Sequence, residues 1–200
     1  MSRRTWPSRL AVAVLVLGAS TGCSGGKRSG ETPNAEGGEA TSTTDSAPAA
    51  AEPVPTKVLL GQVVGQLPGP RRRALLAQVT PVVDGWLDAA YVGGTWPREI
   101  SDAYPGFTAE AARQARRDQE LTSNAEVSER IDGLAVTNRA VRFDVLAAGR
   151  RPVGVTARIA LDYKTTGEVV SKVSVRGRLR LTQVRDHWRV FAYDLTKGER

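Results

Sequence analysis

Residues 57–200 predict an α+β domain, with N-terminal helices packed on a curved, cone-like antiparallel sheet. Between Arg71 and Tyr91 apolar residues recur every three or four positions, the period of one helical face. After Asn124 the period drops to two, which is the strand signature. The alternating runs are joined by GRRPVG, KTTGE and VRDHW, connections short enough for antiparallel hairpins.

The first segment, Lys57–Gln66 (KVLLGQVVGQ), is apolar and reads as either a helix or a lead-in strand. Leu67-Pro68-Gly69-Pro70 breaks it. The helical face that follows consists of Leu75, Leu76, Val79, Val82, Val83, Trp86, Leu87, Ala90 and Tyr91. Pro81 interrupts it, which predicts one kinked helix or two consecutive ones, with Gly93-Gly94 ending the run. Residues 95–107 (TWPREISDAYPGF) form a loop, and Thr108 caps a helix over Ala109–Leu121 with Glu110 in its first turn.

Four strands complete the domain. Val141, Phe143 and Val145 alternate with Arg142 and Asp144 inside the run Val136–Ala147. Val155, Ala157, Ile159, Leu161 and Tyr163 form a second apolar set, and Val173, Val175, Gly177, Leu179 and Leu181 a third. Trp188–Leu195 (WRVFAYDL) is the last run. One apolar and one polar face per strand mean a sheet covered on one side only.

Ahead of the domain the composition changes. Residues 24–56 hold no Leu, Ile, Phe, Trp or Tyr and a single Val, so they cannot bury enough apolar surface to offset chain entropy. They read as a disordered tether spanning roughly 30 Å as a flexible coil. Residues 1–22 carry Arg3, Arg4 and Arg9, then the apolar run Leu10–Leu17, then Gly18-Ala19-Ser20-Thr21-Gly22 up to Cys23. Eight apolar residues are far short of the roughly 20 that span a bilayer.

This leader resembles a bacterial lipoprotein signal. The resemblance implies that Cys23 receives a diacylglyceryl group and becomes the mature N-terminus, anchoring the domain on the extracytoplasmic face of the cell membrane. Ser20 stands where that pattern favours Leu, and a freely secreted protein is the alternative. Cys23 is the only cysteine, so no intrachain disulfide forms and Cys-rich zinc sites are excluded.

Charge is divided unevenly. The leader carries +3, the tether two basic and five acidic residues, and the domain 23 basic and 16 acidic. A basic domain raises nucleic acid as a partner, but an exported chain without a recognition motif points away from it. The polyanions outside the cell are membrane phospholipid and envelope polymer. Arg158, Arg176, Arg178 and Arg180 lie on the polar faces of neighbouring strands and form a candidate basic surface for an envelope protein or an anionic envelope polymer. The competing reading pairs them across strands with Asp144, Asp162 or Glu168.

Signals for catalysis are sparse. His187, the only histidine, sits beside Asp186 where a hairpin turn is required. Neither HExxH nor a nucleophile elbow nor a phosphate-binding Gly loop occurs, and neither a metal nor another cofactor is expected. Trp86, Tyr91, Trp96, Tyr104 and Phe107 crowd the end of the first helix and its loop, and are candidates for lining an apolar pocket or for anchoring the core.

The paired N-terminal helices and long strands ending on HWRVFAYDL are similar to the nuclear-transport-factor-2-like cone fold. More narrowly, residues 70–196 resemble membrane-tethered actinobacterial domains of that fold, including Mce-associated proteins. The closing Trp188, Val190, Tyr193 and Asp194 carry most of this likeness. Members of the fold include enzymes, ligand binders and interaction modules, so it implies no single activity. The expected function is a noncatalytic interaction or assembly module. A carrier of a small apolar ligand or lipid inside the cone comes second, and an enzyme acting on an extracellular small molecule third.

The anchor is tested by Cys23→Ala. The variant is expected to leave the membrane pellet in fractionation at high salt while keeping the circular dichroism of the parent. A variant that stays in the pellet at high salt removes the lipid anchor from the account.

Overall fold

The computed structural model describes residues 54–199. The expectations for the leader, for Cys23 and for the tether up to residue 53 lie outside the described residues. The chain begins with β1 (Lys57–Val64) and continues into α1 (Gly69–Leu87), which widens into a single π turn over Asp88–Val92. After a loop come α2 (Ala109–Arg117) and the short α3 (Gln119–Thr122). Four long strands follow: β2 (Ile131–Ala148), β3 (Arg151–Gly167), β4 (Lys172–Val184) and β5 (His187–Glu199).

The five strands stand in chain order in one sheet. β2 to β5 form an antiparallel meander, whereas β1 lies parallel to β2, with Lys57 opposite Ala140 and Val64 opposite Leu146. The expectation of an antiparallel sheet is therefore corrected: the sheet is mixed, and the first segment, left open between helix and lead-in strand, is a strand. Parallel neighbours need a long crossover connection, and the helical segment between β1 and β2 supplies one.

Both hairpins at one end of the meander are two-residue turns with positive φ at each position. Gly149 and Arg150 have φ of 55° and 62°, Arg185 and Asp186 of 49° and 66°. These primed turns follow the right-handed twist of their strands.

Pro81 lies inside α1 without ending it. Its ring denies a donor to the Ala77 carbonyl, but both residues are solvent-exposed, so water can take the bond. The second helical run is cut at Asp118 instead of continuing to Leu121. Thr108 caps it as expected, its hydroxyl accepting from the Ala111 amide at 3.3 Å.

The core lies between the helices and one face of the sheet. Leu75, Val79, Val83, Trp86 and Leu87 of α1 meet Val141, Phe143, Val155, Ala157, Leu161, Leu179 and Leu181. Pairing extends beyond the meander, because Thr108 donates to the Val190 carbonyl and Val190 donates to Gly106. The loop before α2 thus covers part of the free edge of β5. The core cluster runs from Leu67 to Leu195, with Val58, Leu60 and Val63 of β1 packed against it.

One charge is built into this core face. Arg139 of β2 is 8% exposed and sits two residues before Val141. Its guanidinium reaches Asp88 Oδ1 at 2.5 Å and Asp84 Oδ1 at 2.9 Å. Thr56 donates to the same Asp84 oxygen at 2.6 Å. Burial alone would lower the pKa of Arg139, but the two carboxylates more than compensate and hold it above its ordinary value. Arg139→Ala is expected to cost about 3 kcal/mol in urea unfolding, since it leaves a partly covered acid pair without its counter-charge. A loss below about 0.5 kcal/mol would show that the cluster does not hold the layers together.

Candidate functional site

The aromatic candidates separate into core and loop. Trp86 and Tyr91 are fully buried, and Tyr104 and Phe107 nearly so. Trp86 meets Tyr91 edge-on with ring centroids 5.4 Å apart and Phe107 at 5.9 Å, while Tyr104 touches Phe107 at 5.6 Å. Such offset contacts are those of packed core rings. Trp96 is half-buried in the loop, with the Arg98 guanidinium 4.6 Å from its ring centre. The five do not form one pocket wall: four fill the space under α1, and the fifth stacks on an arginine.

The hydroxyls of this cluster tie the helices to the sheet. Tyr91 Oη donates to Leu121 O at 2.6 Å and Tyr104 Oη to Ala115 O at 2.9 Å. Tyr163 Oη donates to Asn124 Oδ1 at 2.6 Å, and Asn124 Nδ2 donates to Tyr91 O at 3.1 Å. Burial drives the phenol pKa of Tyr91 and of Tyr163 upward, so both remain neutral donors. Sequence reasoning missed Asn124, because a buried amide in a loop leaves no periodic signal.

The arginine stripe is brought together on the outer sheet face, with acids interleaved. Arg158 and Arg178 stand directly opposite each other across β3 and β4. Arg158 Nε donates to Asp144 Oδ2 at 2.6 Å. Arg176 Nη2 donates to both carboxylate oxygens of Asp162 at 2.7 Å. Arg178 stands opposite Asp194 in the β4–β5 register. Glu168 lies 3.8 Å from Arg130 and takes no part in the stripe. Hydrogen bonds from Arg158 and Arg176 hold the carboxyls of Asp144 and Asp162 below the usual carboxylate range. Two of the four candidate cations are thus internally compensated, while Arg178 and Arg180 are exposed.

His187 opens β5, exposed, beside the turn Arg185-Asp186. Among the described residues no three His, Cys, Asp or Glu side chains converge as a metal ion requires. No helix of the described residues is long and apolar enough to cross a membrane.

A cleft of about 510 Å³ opens where α2 and α3 meet the far ends of β3, β4 and β5. Leu121, Val127, Tyr163, Val169 and Val173 give it apolar walls, and Asp118, Glu120, Glu126 and Glu199 place acids along it. Lys197 reaches in from β5, its ammonium donating to Ser123 O at 2.8 Å and Glu120 O at 2.9 Å. Burial lowers its pKa, which Glu126 and Glu120 partly oppose. Tyr193 Oη donates to Asp118 Oδ2 at 2.5 Å on the same side. This arrangement can hold a small amphipathic molecule against the apolar wall.

Compared with protein-family models, with curated proteins and with solved structures, the chain matches none.

The bidentate Asp162–Arg176 pair has a pH consequence. A carboxyl whose folded pKa lies below its ordinary 3.8 contributes stability above that value and loses it as pH falls through the folded pKa. Asp162→Asn is expected to lower stability at pH 7 by about 1 kcal/mol and to flatten the loss between pH 5 and pH 3. Parallel pH profiles for variant and parent, measured by urea unfolding, would remove this pair from the acid response.

Proposed function

We propose that the chain is a noncatalytic, membrane-anchored module that displays a protein-interaction surface on the extracytoplasmic side. The anchor part of the proposal comes from the leader and Cys23. The interaction part rests on the outer face of the sheet, which no helix among the described residues covers. There Phe191, the extra residue of a bulge in β5, is exposed beside a shallow slot of about 280 Å³, which Val64, Leu146 and Thr156 also line. Gly154 lies in this slot, and a Cβ added there would meet nothing within 4 Å. An exposed aromatic next to an open, partly apolar slot has the form of an interface anchor.

The likeness to the nuclear-transport-factor-2-like cone belongs to the same proposal, supported by helices followed by a meander that covers them on one face. A second reading, a carrier of a small amphipathic molecule, is favoured by the open cleft between Leu121, Tyr163 and Val173.

A photo-crosslinking residue in place of Phe191, in the membrane-associated chain, is expected to give one discrete protein adduct in cells. The same residue at Asp102, on an exposed loop, is the control. No adduct at Phe191, or the same adducts from Asp102, would overturn the interaction surface.

A further inference from the structure

The strand order brings together arginines that are far apart in sequence. The β2–β3 and β4–β5 turns lie at one end of the meander, and the end of β1 reaches the same place, since Val64 stands opposite Leu146. The chain then turns at Gly65 and starts α1 there. Arg71, Arg72 and Arg73 of the first turns of α1 therefore join Arg150 and Arg151 of one hairpin and Arg185 of the other. The contact is direct: Arg71 Nη1 donates to the Arg150 carbonyl, and Arg71, Arg151 and Gln183 line one surface groove.

All six arginines are solvent-exposed, and the ion pairs formed among the described residues involve none of them. Asp186 is the only acid in these turns and in residues 65–75. This distinguishes the hairpin end from the outer-face stripe, where Asp144 and Asp162 answer Arg158 and Arg176.

Charge is joined there by aliphatic surface. Val64, Leu146, Val153 and Val184 are between 42% and 52% exposed. Val184 closes the β4–β5 turn opposite His187, Val153 lies two residues into β3, and Val64 and Leu146 pair at the end of β1. Guanidinium groups alone would suit any polyanion. Guanidinium groups flanked by exposed valines on a rigid pair of hairpins suit a surface that offers phosphates over an apolar layer.

We infer that the hairpin end of the domain, built on Arg71, Arg150, Arg151 and Arg185 with Val153 and Val184 beside them, docks on an anionic phospholipid bilayer. The contact is a second, electrostatic hold on the membrane, additional to the acyl chains proposed at Cys23. It takes its setting from the membrane-anchored reading, but its chemistry belongs to the domain and is tested without the lipid.

Residues 54–200, which carry every member of the core cluster named above and lack Cys23, are mixed with vesicles of phosphatidylcholine alone or of phosphatidylcholine with phosphatidylglycerol, whose anionic headgroups supply a negative surface potential. The expected result is co-flotation with the anionic vesicles only, weakening as salt rises. The triple change Arg71→Gln, Arg150→Gln, Arg185→Gln is expected to reduce partitioning at least about tenfold. Val153→Ser with Val184→Ser, which keeps every charge, is expected to reduce it severalfold. All five positions are exposed, and unchanged thermal unfolding of both variants serves as the folding control.

No binding to anionic vesicles, equal binding to neutral ones, or an unaffected triple variant overturns the inference. Equal capture by soluble polyphosphate combined with indifference to the valine changes also overturns it, in favour of a polymeric anion. If flotation fails here while Cys23→Ala still releases the full chain, the anchor stands and the docking face falls. If flotation succeeds and Cys23→Ala releases nothing, the reverse holds.

Discussion

Arg139 stands on the core face of β2 among valines, phenylalanine and leucine, and its charge is stable there only because α1 brings two carboxylates to it. Asp84 and Asp88 are one turn apart, so both can face the same guanidinium. The π turn that begins at Asp88 widens the helix where that second acid must point back toward the sheet. The Asp88 and Ala89 carbonyls, displaced from ordinary helical pairing, are taken by Arg98 Nη2 at 3.2 and 3.0 Å. Thr56, just before β1, completes the cluster from the other side. The entry to the sheet, the end of the first helix, the following loop and the longest strand thus converge on one ion group. The hydrophobic contact beside it supplies most of the energy. The ion group fixes which turn of α1 faces which residue of β2, because a slip of one position would leave buried charge unpaired.

The one-sided sheet has consequences for the surface. A five-stranded sheet covered on one face exposes a row of alternate side chains from each strand. Here that row is partly compensated, with Arg158 answered by Asp144 and Arg176 by Asp162, while Arg178 and Arg180 stay exposed. Further uncompensated charge gathers at the hairpin end, where turn chemistry rather than pairing chose the residues.

Local signals were well expressed in the sequence. The apolar face of α1, the cap at Thr108 and the inward residues of β3 and β4 follow from period alone. The pairing of β1 did not, because KVLLGQVVGQ has no clear period and nothing in it announces a parallel neighbour 80 residues later. The arginine stripe was legible as a face but not as a set of partners, since Asp144 and Arg158 meet only once the β2–β3 register is known. The hairpin end was the least legible feature. Its arginines come from three segments, and only the meander, with β1 running alongside it, makes them neighbours. The available signal was GRR and VRD at expected turns, which marks them as exposed without saying that they share one end.

β5 shows how one extra residue can decide both the interior and the surface. Trp188 and Val190 face the core, and strict alternation would next send Ala192, Asp194 and Thr196 inward. The register instead slips between Arg180 and Leu181, whose partners are Ala192 and Val190. Phe191 becomes the unpaired residue of the bulge, and Tyr193, Leu195 and Lys197 take the inward positions. That phase change lets Tyr193 reach Asp118 and Lys197 reach the carbonyls at the end of α3. The close approach of β5 further along requires Gly177, at φ 145°, where a Cβ would sit 2.1 Å from the Asp194 carbonyl oxygen. The exposed phenyl ring on the outer face is therefore the geometric counterpart of the contacts that fasten the helices on the inner one. A substitution at Phe191 acts on the surface alone, and deleting the residue would remove the bulge while leaving Ala192 opposite Arg180 and Tyr193, Leu195 and Lys197 on the inward face.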